Sequence, residues 1–230
     1  MIVSIHQPHY FPWLRYVNKI AMSDVFVIYD DVKYEKNDWV HRTMIADKDR
    51  IRITVPVHHS SSSYINNVKI ANNHWKRKHL NSIYYSYHNS PNFMKYYPDI
   101  SRIISLNTDK LVDYNVESIK WIVSQLGLKT KILRSSQMNV KASSTTRLVK
   151  ICKELSADKY LSGKYAISQY LNQQEFSKEN IKVVYSDFVS YPYKQRYNKF
   201  IADLSIIDLL MNQSVEFANQ YLCTCNLCEL

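Results

Sequence analysis

The sequence predicts an α/β fold, a mixed sheet flanked by helices with a helical block in the middle of the chain. Two observations carry that prediction. Short apolar runs of strand length alternate with stretches of helical apolar spacing in both the first and the last third of the chain. Between them, from residue 73 to residue 125, three helical segments follow one another.

Taken in order, the opening IVSIH reads as a strand with one buried face, and residues 13–22 have helical spacing. Asp24 introduces a second strand, VFVIYDDV. Residues 34–44 are polar and aromatic and read as a loop or short hairpin. IRITVPV alternates and is the clearest strand after that, while residues 60–63 are a serine-rich loop signal. Asn72 or Asn73 is placed to cap a helix running through Trp75, Leu80, Ile83 and Tyr84 toward His88, broken at Ser90-Pro91. Helices over 93–105 and 108–125 follow, the second closed by Gly127 as its C′ residue. Then come a strand at 131–134, a helix at 145–155, a strand at 159–161, a helix after Gly163, a strand at 181–185 and a closing helix at 204–211. No internal repeat or long linker interrupts the pattern.

With 230 residues and 46% hydrophobic content, the chain can bury a core as one large domain or two small ones. Its longest apolar runs, 25–29 and 206–211, fall far short of the ~20 residues of a membrane span. The first segment, MIVSIHQPHYFPW, has neither the basic nor the long apolar region of a signal peptide, so the expectation is a soluble, cytoplasmic protein with no membrane span. There are only two glycines, where average usage of ~7% would give roughly sixteen. Walker A and GxGxxG phosphate loops both need several, so neither is present. Thirty Lys and Arg against twenty Asp and Glu leave +10, which favours anionic partners. The cations are scattered, with short clusters at 48–52 and 75–79, and read as a diffuse solvated surface. Cys152 lies in the amphipathic LVKICKEL and reads as core, whereas Cys223, Cys225 and Cys228 crowd the last eight residues as C-x-C-x-x-C. Three thiols without a fourth ligand nearby read as a poorly ordered tail, and no metal ligand is assigned.

Chemistry-bearing residues gather at strand ends. His6 and Gln7 follow the first strand, where ligands of α/β sheets usually bind; His6 titrates near neutrality, and Gln7 suits an amide, hydroxyl or sugar. Asp30-Asp31 ends the second strand, followed by Tyr34, Asp38, Trp39 and Arg42. Adjacent carboxylates point to opposite sides of an extended segment, so one of them faces a shared site. Paired acids hold a metal or raise each other's pKa; equally, they form a polar loop whose acids cap helices and pair with Arg42. Arg42 suits phosphate or carboxylate, and Trp39 and Tyr34 suit a base or sugar ring. His74 opens the central helix, where free N–H groups favour an anion. His58-His59 is a weak metal pattern better read as a solvated loop, and Ser162-Gly163-Lys164 is a minimal phosphate-friendly turn. With no G-x-S-x-G and no H-E-x-x-H, nothing points to covalent serine or zincin chemistry. Near the end come Tyr193, Gln195 and Tyr197, then Ser205 and Asp208 three apart on one helix face, a spacing that reads as a cap.

Together, IHQPHYFPWLRYVNKIAMSDVFVIYDDVKYEKNDWVHRTMI, ITVPV, YLSGKYAISQYL and YPYKQRY…LSIIDLLMN resemble the WbqC-like family, bacterial proteins found among polysaccharide and O-antigen genes. The resemblance implies a single α/β domain over residues 1–212 and leaves 213–230 as a C-terminal tail of uncertain order. There the sequence departs from the family, which tends to place a glycine soon after the last helix. It implies a role in surface-polysaccharide or lipopolysaccharide biosynthesis, with some members labelled glycine or aminoacyl transferases acting on amino sugars. The matching polar positions are His6, Gln7, Asp30, Asp31, Asp38, Arg42, His74, Ser162, Gly163, Tyr170, Gln195, Ser205 and Asp208. The resulting expectation is transfer of an acyl or aminoacyl group, for example glycyl, to the amine of a nucleotide-linked amino sugar. His6 would deprotonate the attacking ammonium while Asp30 or Asp31 orients it or holds sugar hydroxyls. Arg42 and the amino end of the His74 helix would bind the diphosphate, and Trp39 or Tyr34 would stack on sugar or base. The donor would be an aminoacyl-tRNA or another activated acyl compound, and no cofactor is assigned. Two rivals remain: a non-catalytic basic nucleic-acid- or glycan-binding protein with nineteen tyrosines available for stacking, and a metal-assisted hydrolase using Asp30, Asp31 and a histidine.

Overall fold

The computed structural model describes residues 1–36, 38–58, 63–197 and 199–229. His59 and most of the serine-rich loop signal lie outside the described residues. Strand β1 (Ile2–His6) is followed by α1 (Leu14–Ala21) and β2 (Val25–Ile28). Two small hairpins come next, β3 (Arg42–Ala46) with β4 (Arg50–Thr54), and β5 (Val57–His58) with β6 (Lys69–Ile70). The helical block is α2 (His74–Tyr87), α3 (Phe93–Ile104) and α4 (Leu111–Gln125). The chain then returns through β7 (Lys131–Arg134), α5 (Ser144–Glu154), β8 (Lys159–Ser162), α6 (Lys164–Gln169), α7 (Gln173–Ser177) and β9 (Lys182–Ser186). It ends in α8 (Ile206–Asn212), α9 (Val215–Cys223) and β10 (Leu227–Glu229).

Six strands form the main sheet in the order β10-β9-β8-β1-β2-β7, all parallel except β10. It is therefore a mixed sheet. VFVI is apolar on every residue because β2 is covered on both faces. Val3, Ile5, Val25 and Val27 meet α5 and α7, while Phe26 and Ile28 meet α1 and α4. From β1 the chain moves outward to β2 and β7, then crosses back to β8 and β9. That reversal places the switch point of a doubly wound sheet between β1 and β8. The β1–β8 ladder has two pairs, Ile2↔Lys159 and Val3↔Tyr160, against four between β1 and β2. The two strands thus part toward their carboxyl ends, leaving a crevice.

A second core lies beside the α1 face, where Tyr10, Phe11, Leu14 and Val17 pack with α2, α3, α4, α8 and α9. Gly127 closes α4 at φ +61°, the left-handed conformation that a C′ glycine adopts without a Cβ penalty. The segment expected as a loop or short hairpin contains β3, whose register with β4 runs Arg42↔Thr54 to Ala46↔Arg50. The IRITVPV run divides at Pro56, which has no N–H for a ladder, and Val57 starts β5. Residues 213–229, expected as a tail of uncertain order, are built into the fold. Ser214 caps α9 by accepting from the Phe217 N–H at 3.2 Å, Ala218, Tyr221 and Leu222 are buried in the second core, and β10 pairs with β9. Asn18 Nδ2 donates to the Leu222 carbonyl at 2.6 Å, tying α9 to α1. No helix among the described residues is long and apolar enough to cross a membrane.

Candidate functional site

The site grows from the carboxyl end of β1. His6 ends the strand half-buried, and Gln7, Pro8 and His9 carry the chain toward α1. The His6 and His9 rings meet edge-on at 4.9 Å between centroids, and Tyr16 of α1 stacks on His9 at 4.7 Å. Tyr16 Oη donates to the Gln7 carbonyl at 3.0 Å, and Asn115 Nδ2 of α4 donates to the Pro8 carbonyl at 3.1 Å, so the loop is held from two helices. Burial, reinforced by the charge of Lys19 and outweighing a hydrogen bond with Gln7, lowers His6 to about 3. Burial, with His6 and Lys19 alongside, also drives His9 well below its ordinary value. Both imidazoles are neutral at physiological pH. His9 Nε2 lies 3.7 Å from Asp38 Oδ1, and among the described residues neither His9 ring nitrogen has a hydrogen-bond partner.

Beside His9 opens a cavity of about 210 Å³ lined by Trp13, Trp39, Arg42, Met44, Arg50 and Asp203, among others. Asp38 shapes it by accepting from the Trp39 N–H at 2.6 Å, which caps the short 3₁₀ turn Trp39–His41. Trp13 and Trp39 stack at 6.4 Å with 25° between planes. The Arg42 guanidinium lies 5.4 Å over the Trp39 ring, and Arg15 lies 5.8 Å over Trp13. Aromatic walls beside guanidinium groups can hold a planar or sugar ring together with an attached anion.

The other expected residues fall into separate groups. Asp30 is fully buried; its oxygens accept from Arg134 Nε at 2.7 Å, Arg134 Nη2 at 2.6 Å, the Ser136 N–H at 3.0 Å, Ser136 Oγ at 2.9 Å and Ser135 Oγ at 3.3 Å. A carboxylate has about four acceptor sites, so none is left for a substrate proton. Asp31 accepts from Arg147 and shares the Ser135 hydroxyl with Asp30. Burial pushes Asp31 up, but those hydrogen bonds outweigh it and hold its carboxyl below the usual range. Tyr34 is buried with its hydroxyl 2.9 Å from His41 Nδ1, an internal contact where a stacking platform was expected. His74 opens α2 beside a polar depression lined by Asn72, Asn73 and Asp109, none of which lines the cavity. Asn72 Oδ1 accepts from its N–H at 3.1 Å, whereas Asn73, at the cap position, makes no side-chain cap bond.

Ser162 and Gly163 end β8 across the crevice from β1, with Gly163 extended at φ −83°. Tyr170, at the end of α6, is exposed. Gln195 and Asp208 belong to a buried lock away from the sheet edge. Tyr193 Oη donates to Asp208 Oδ2 at 2.6 Å and Gln195 Nε2 donates to it at 2.9 Å, while burial raises the Asp208 carboxyl despite them. Ser205 caps α8, accepting from the Ile207 N–H at 3.3 Å and donating to the Phe11 carbonyl at 2.8 Å. Among the described residues no group of three or more His, Cys, Asp or Glu is arranged to hold a metal.

Several neighbours of the site were missed from sequence. Trp13, Met44, Arg50 and Asp203 come to the cavity from separate segments. Lys19 carried a readable signal, because spacing puts it on the buried face of α1 with Tyr16 and Ile20, where a lysine is out of place.

The model of the WbqC-like protein family matches residues 7–220, from the loop after β1 into α9. The chain belongs to the WbqC-like protein family. This WbqC-like chain is also 32% identical over 228 residues to a Mycobacterium tuberculosis (strain ATCC 25618 / H37Rv) protein described as "Uncharacterized protein Rv1507c", covering 97% of the chain and 98% of that relative. No solved structure matches it. The family match includes His9, Trp13, Trp39, Arg42 and Asp203, and runs through the capped start of α9.

Proposed function

We propose that this WbqC-like protein is a cytoplasmic enzyme of surface-polysaccharide, including O-antigen, biosynthesis that transfers an acyl or aminoacyl group to the amine of a nucleotide-linked amino sugar. The observation that carries this reading is the cavity joining stacked Trp13 and Trp39 to Arg42 and Arg50 beside the His6–His9 pair. The sugar or base lies against the tryptophans, and the diphosphate meets the guanidinium groups. The amine nitrogen attacks the acyl carbon of an aminoacyl-tRNA or another activated donor, and the carbon–oxygen bond to the donor breaks. His6 takes one proton from the ammonium and passes it to solvent, then takes a second from the attacking nitrogen and delivers it to the leaving oxygen. A neutral imidazole lowered to about 3 is a weak base on its own; a diphosphate nearby favours its charged form and strengthens it. Asp30 and Asp31 hold Arg134 and Arg147 and so position the sheet edge.

A thermal-shift screen with UDP-, dTDP- and GDP-linked amino sugars tests the reading, since a ligand of the native state stabilises it by mass action. A selective upward shift in the wild type that Arg42→Ala abolishes is the expected result, with turnover lost in a folded His6→Ala. A second reading, nucleic-acid binding without catalysis, draws on Tyr165 and Tyr170, which are 75% and 67% exposed on either end of α6. Silence from every sugar nucleotide, together with steeply salt-dependent RNA binding, would favour it.

A further inference from the structure

Doubly wound sheets bind phosphates at the switch point through the backbone N–H groups of a glycine-rich loop. This chain has the switch point without the loop. Its glycines are Gly127 and Gly163, and between β1 and α1 the residue next to Gln7 is Pro8, which has no N–H. Polar side chains stand there instead. Lys19 is 8% exposed, and among the described residues the only hydrogen bond of its ammonium is a long one, 3.5 Å, from Nζ to the Ile5 carbonyl. None of the ion pairs among the described residues includes it. Among the described residues, His9, 3% exposed, has no hydrogen-bond partner at either ring nitrogen, and the buried Gln7 Oε1 has none. A buried cation with no counter-ion and a buried imidazole with no hydrogen bond are each unfavourable, and one anion between them relieves both.

We propose that the crevice at the carboxyl end of β1 is a phosphoryl-anion site built from side chains, with Lys19 and His9 as its ligands and His6 at its solvent side. Charge and geometry select a phosphoryl group. It carries close to two negative charges and three acceptor oxygens, matching an ammonium and two imidazoles better than a carboxylate does. His6 is half-buried and gives the anion its way in. Burial alone holds the Lys19 ammonium at about 7, and an arriving anion restores its charge. Asp38 Oδ1, 3.7 Å from His9 Nε2, steadies a protonated His9 from one side and leaves Nδ1 for the phosphate. His9 also lines the tryptophan cavity, whereas Lys19 does not, so the phosphoryl group sits across His9 from whatever fills that cavity. It belongs to a second, phosphorylated substrate, and the site stands whether or not the cavity takes a sugar.

Calorimetric titration of the full chain with orthophosphate, pyrophosphate, AMP and ADP tests the proposal, with acetate as the carboxylate control. Millimolar or tighter binding of at least one phosphate compound is expected, with acetate silent. Orthophosphate or pyrophosphate binding alone marks a free anion as the ligand, and binding of AMP or ADP alone marks a nucleotide. Lys19→Met should weaken that binding by about tenfold or more, as loss of a charge-assisted contact does. The same variant should melt higher than wild type without ligand, because it removes an uncompensated buried charge. Lys153→Met, at the exposed surface, should bind phosphate as wild type does. Undiminished orthophosphate binding in Lys19→Met, or no binding by any phosphate compound, overturns the site. Should Lys19→Met fail to fold, ring nitrogen spectra of the wild type decide: His9 must shift toward its protonated form as phosphate is added, and an unmoved ring overturns the proposal. A sugar-nucleotide shift without phosphate binding sinks the crevice site alone, and phosphate binding without any sugar-nucleotide shift sinks the sugar reading alone.

Discussion

Lys19 and Asp30 show how differently two buried charges can be treated. Asp30 receives five hydrogen bonds from Arg134, Ser135 and Ser136 and welds the end of β2 to the turn after β7. Lys19 has nothing comparable: its ammonium makes one long hydrogen bond to the Ile5 carbonyl, and the two imidazoles that feel its charge, His6 and His9, do not neutralise it. Its pKa falls from an ordinary 10.5 to about 7 on folding. Between those two values the unfolded chain binds more protons at this residue than the folded one, so folding stability rises with pH there. Below pH 7 both states carry the charge, and the full destabilisation is felt. From pH 7 to 9.5 the wild type should therefore gain roughly 3 kcal/mol relative to Lys19→Met. Urea unfolding of both proteins at the two pH values measures the difference, and parallel stability curves would show that Lys19 keeps its charge in the folded state. His6 acts in the same direction in a lower window, between about 3 and 6.5.

At the scale of elements, α9 and β10 change the picture of the C-terminus most. Tyr221 is fully buried, its hydroxyl donates to the Tyr191 carbonyl at 2.7 Å, and its ring packs against Phe188, Tyr193 and Phe217. Tyr221→Ala should thus cost about 3 kcal/mol or more, as truncation of a buried aromatic does. The midpoint of urea denaturation reads that loss, and a change within experimental error would mean that residues 213–229 do not contribute to the folded core. The periodicity of this segment is hard to see because Cys223, Cys225 and Cys228 interrupt it, and because a three-residue edge strand carries almost no pattern. Elsewhere the local signals were strong. IVSIH and VFVI are short, largely apolar strands, KILR has an apolar centre between two cations, and Gly127 closes α4 where a left-handed residue is needed. Strand β3 was hidden because RTMIA follows an aromatic, polar loop and draws its partner from the next segment. The candidate site was half legible for the same reason. His6, Trp39 and Arg42 stand at ends of local elements, but the cavity also needs Trp13, Arg50 and Asp203, which only long-range packing brings together.

For the whole molecule, the deciding quantity is where the +10 charge acts. Many cations pair at the exposed surface, Lys69 with Asp109, Lys120 with Glu117, Lys153 with Glu179, and Lys159 and Lys182 with Glu229. Such pairs are individually weak and screened by salt. Arg42, by contrast, is half-buried against Trp39, where screening is weaker. These two populations predict different salt responses. A sugar nucleotide seated between the tryptophans gains much of its affinity from ring burial and two guanidinium contacts, so its affinity should fall only a few-fold between about 0.05 and 0.2 M salt. An RNA gripping the outer surface through six or more phosphates would lose about a thousandfold over the same range, because each contact releases condensed counterions. Calorimetric titration of one sugar nucleotide and one tRNA at both salt concentrations separates the cases. Shallow dependence for the sugar nucleotide beside steep dependence for tRNA would place specificity in the cavity and leave the surface charge to steer anionic substrates toward it. A steep slope for both would assign the anion to the surface cations and leave the Trp13–Trp39 cavity without its ligand.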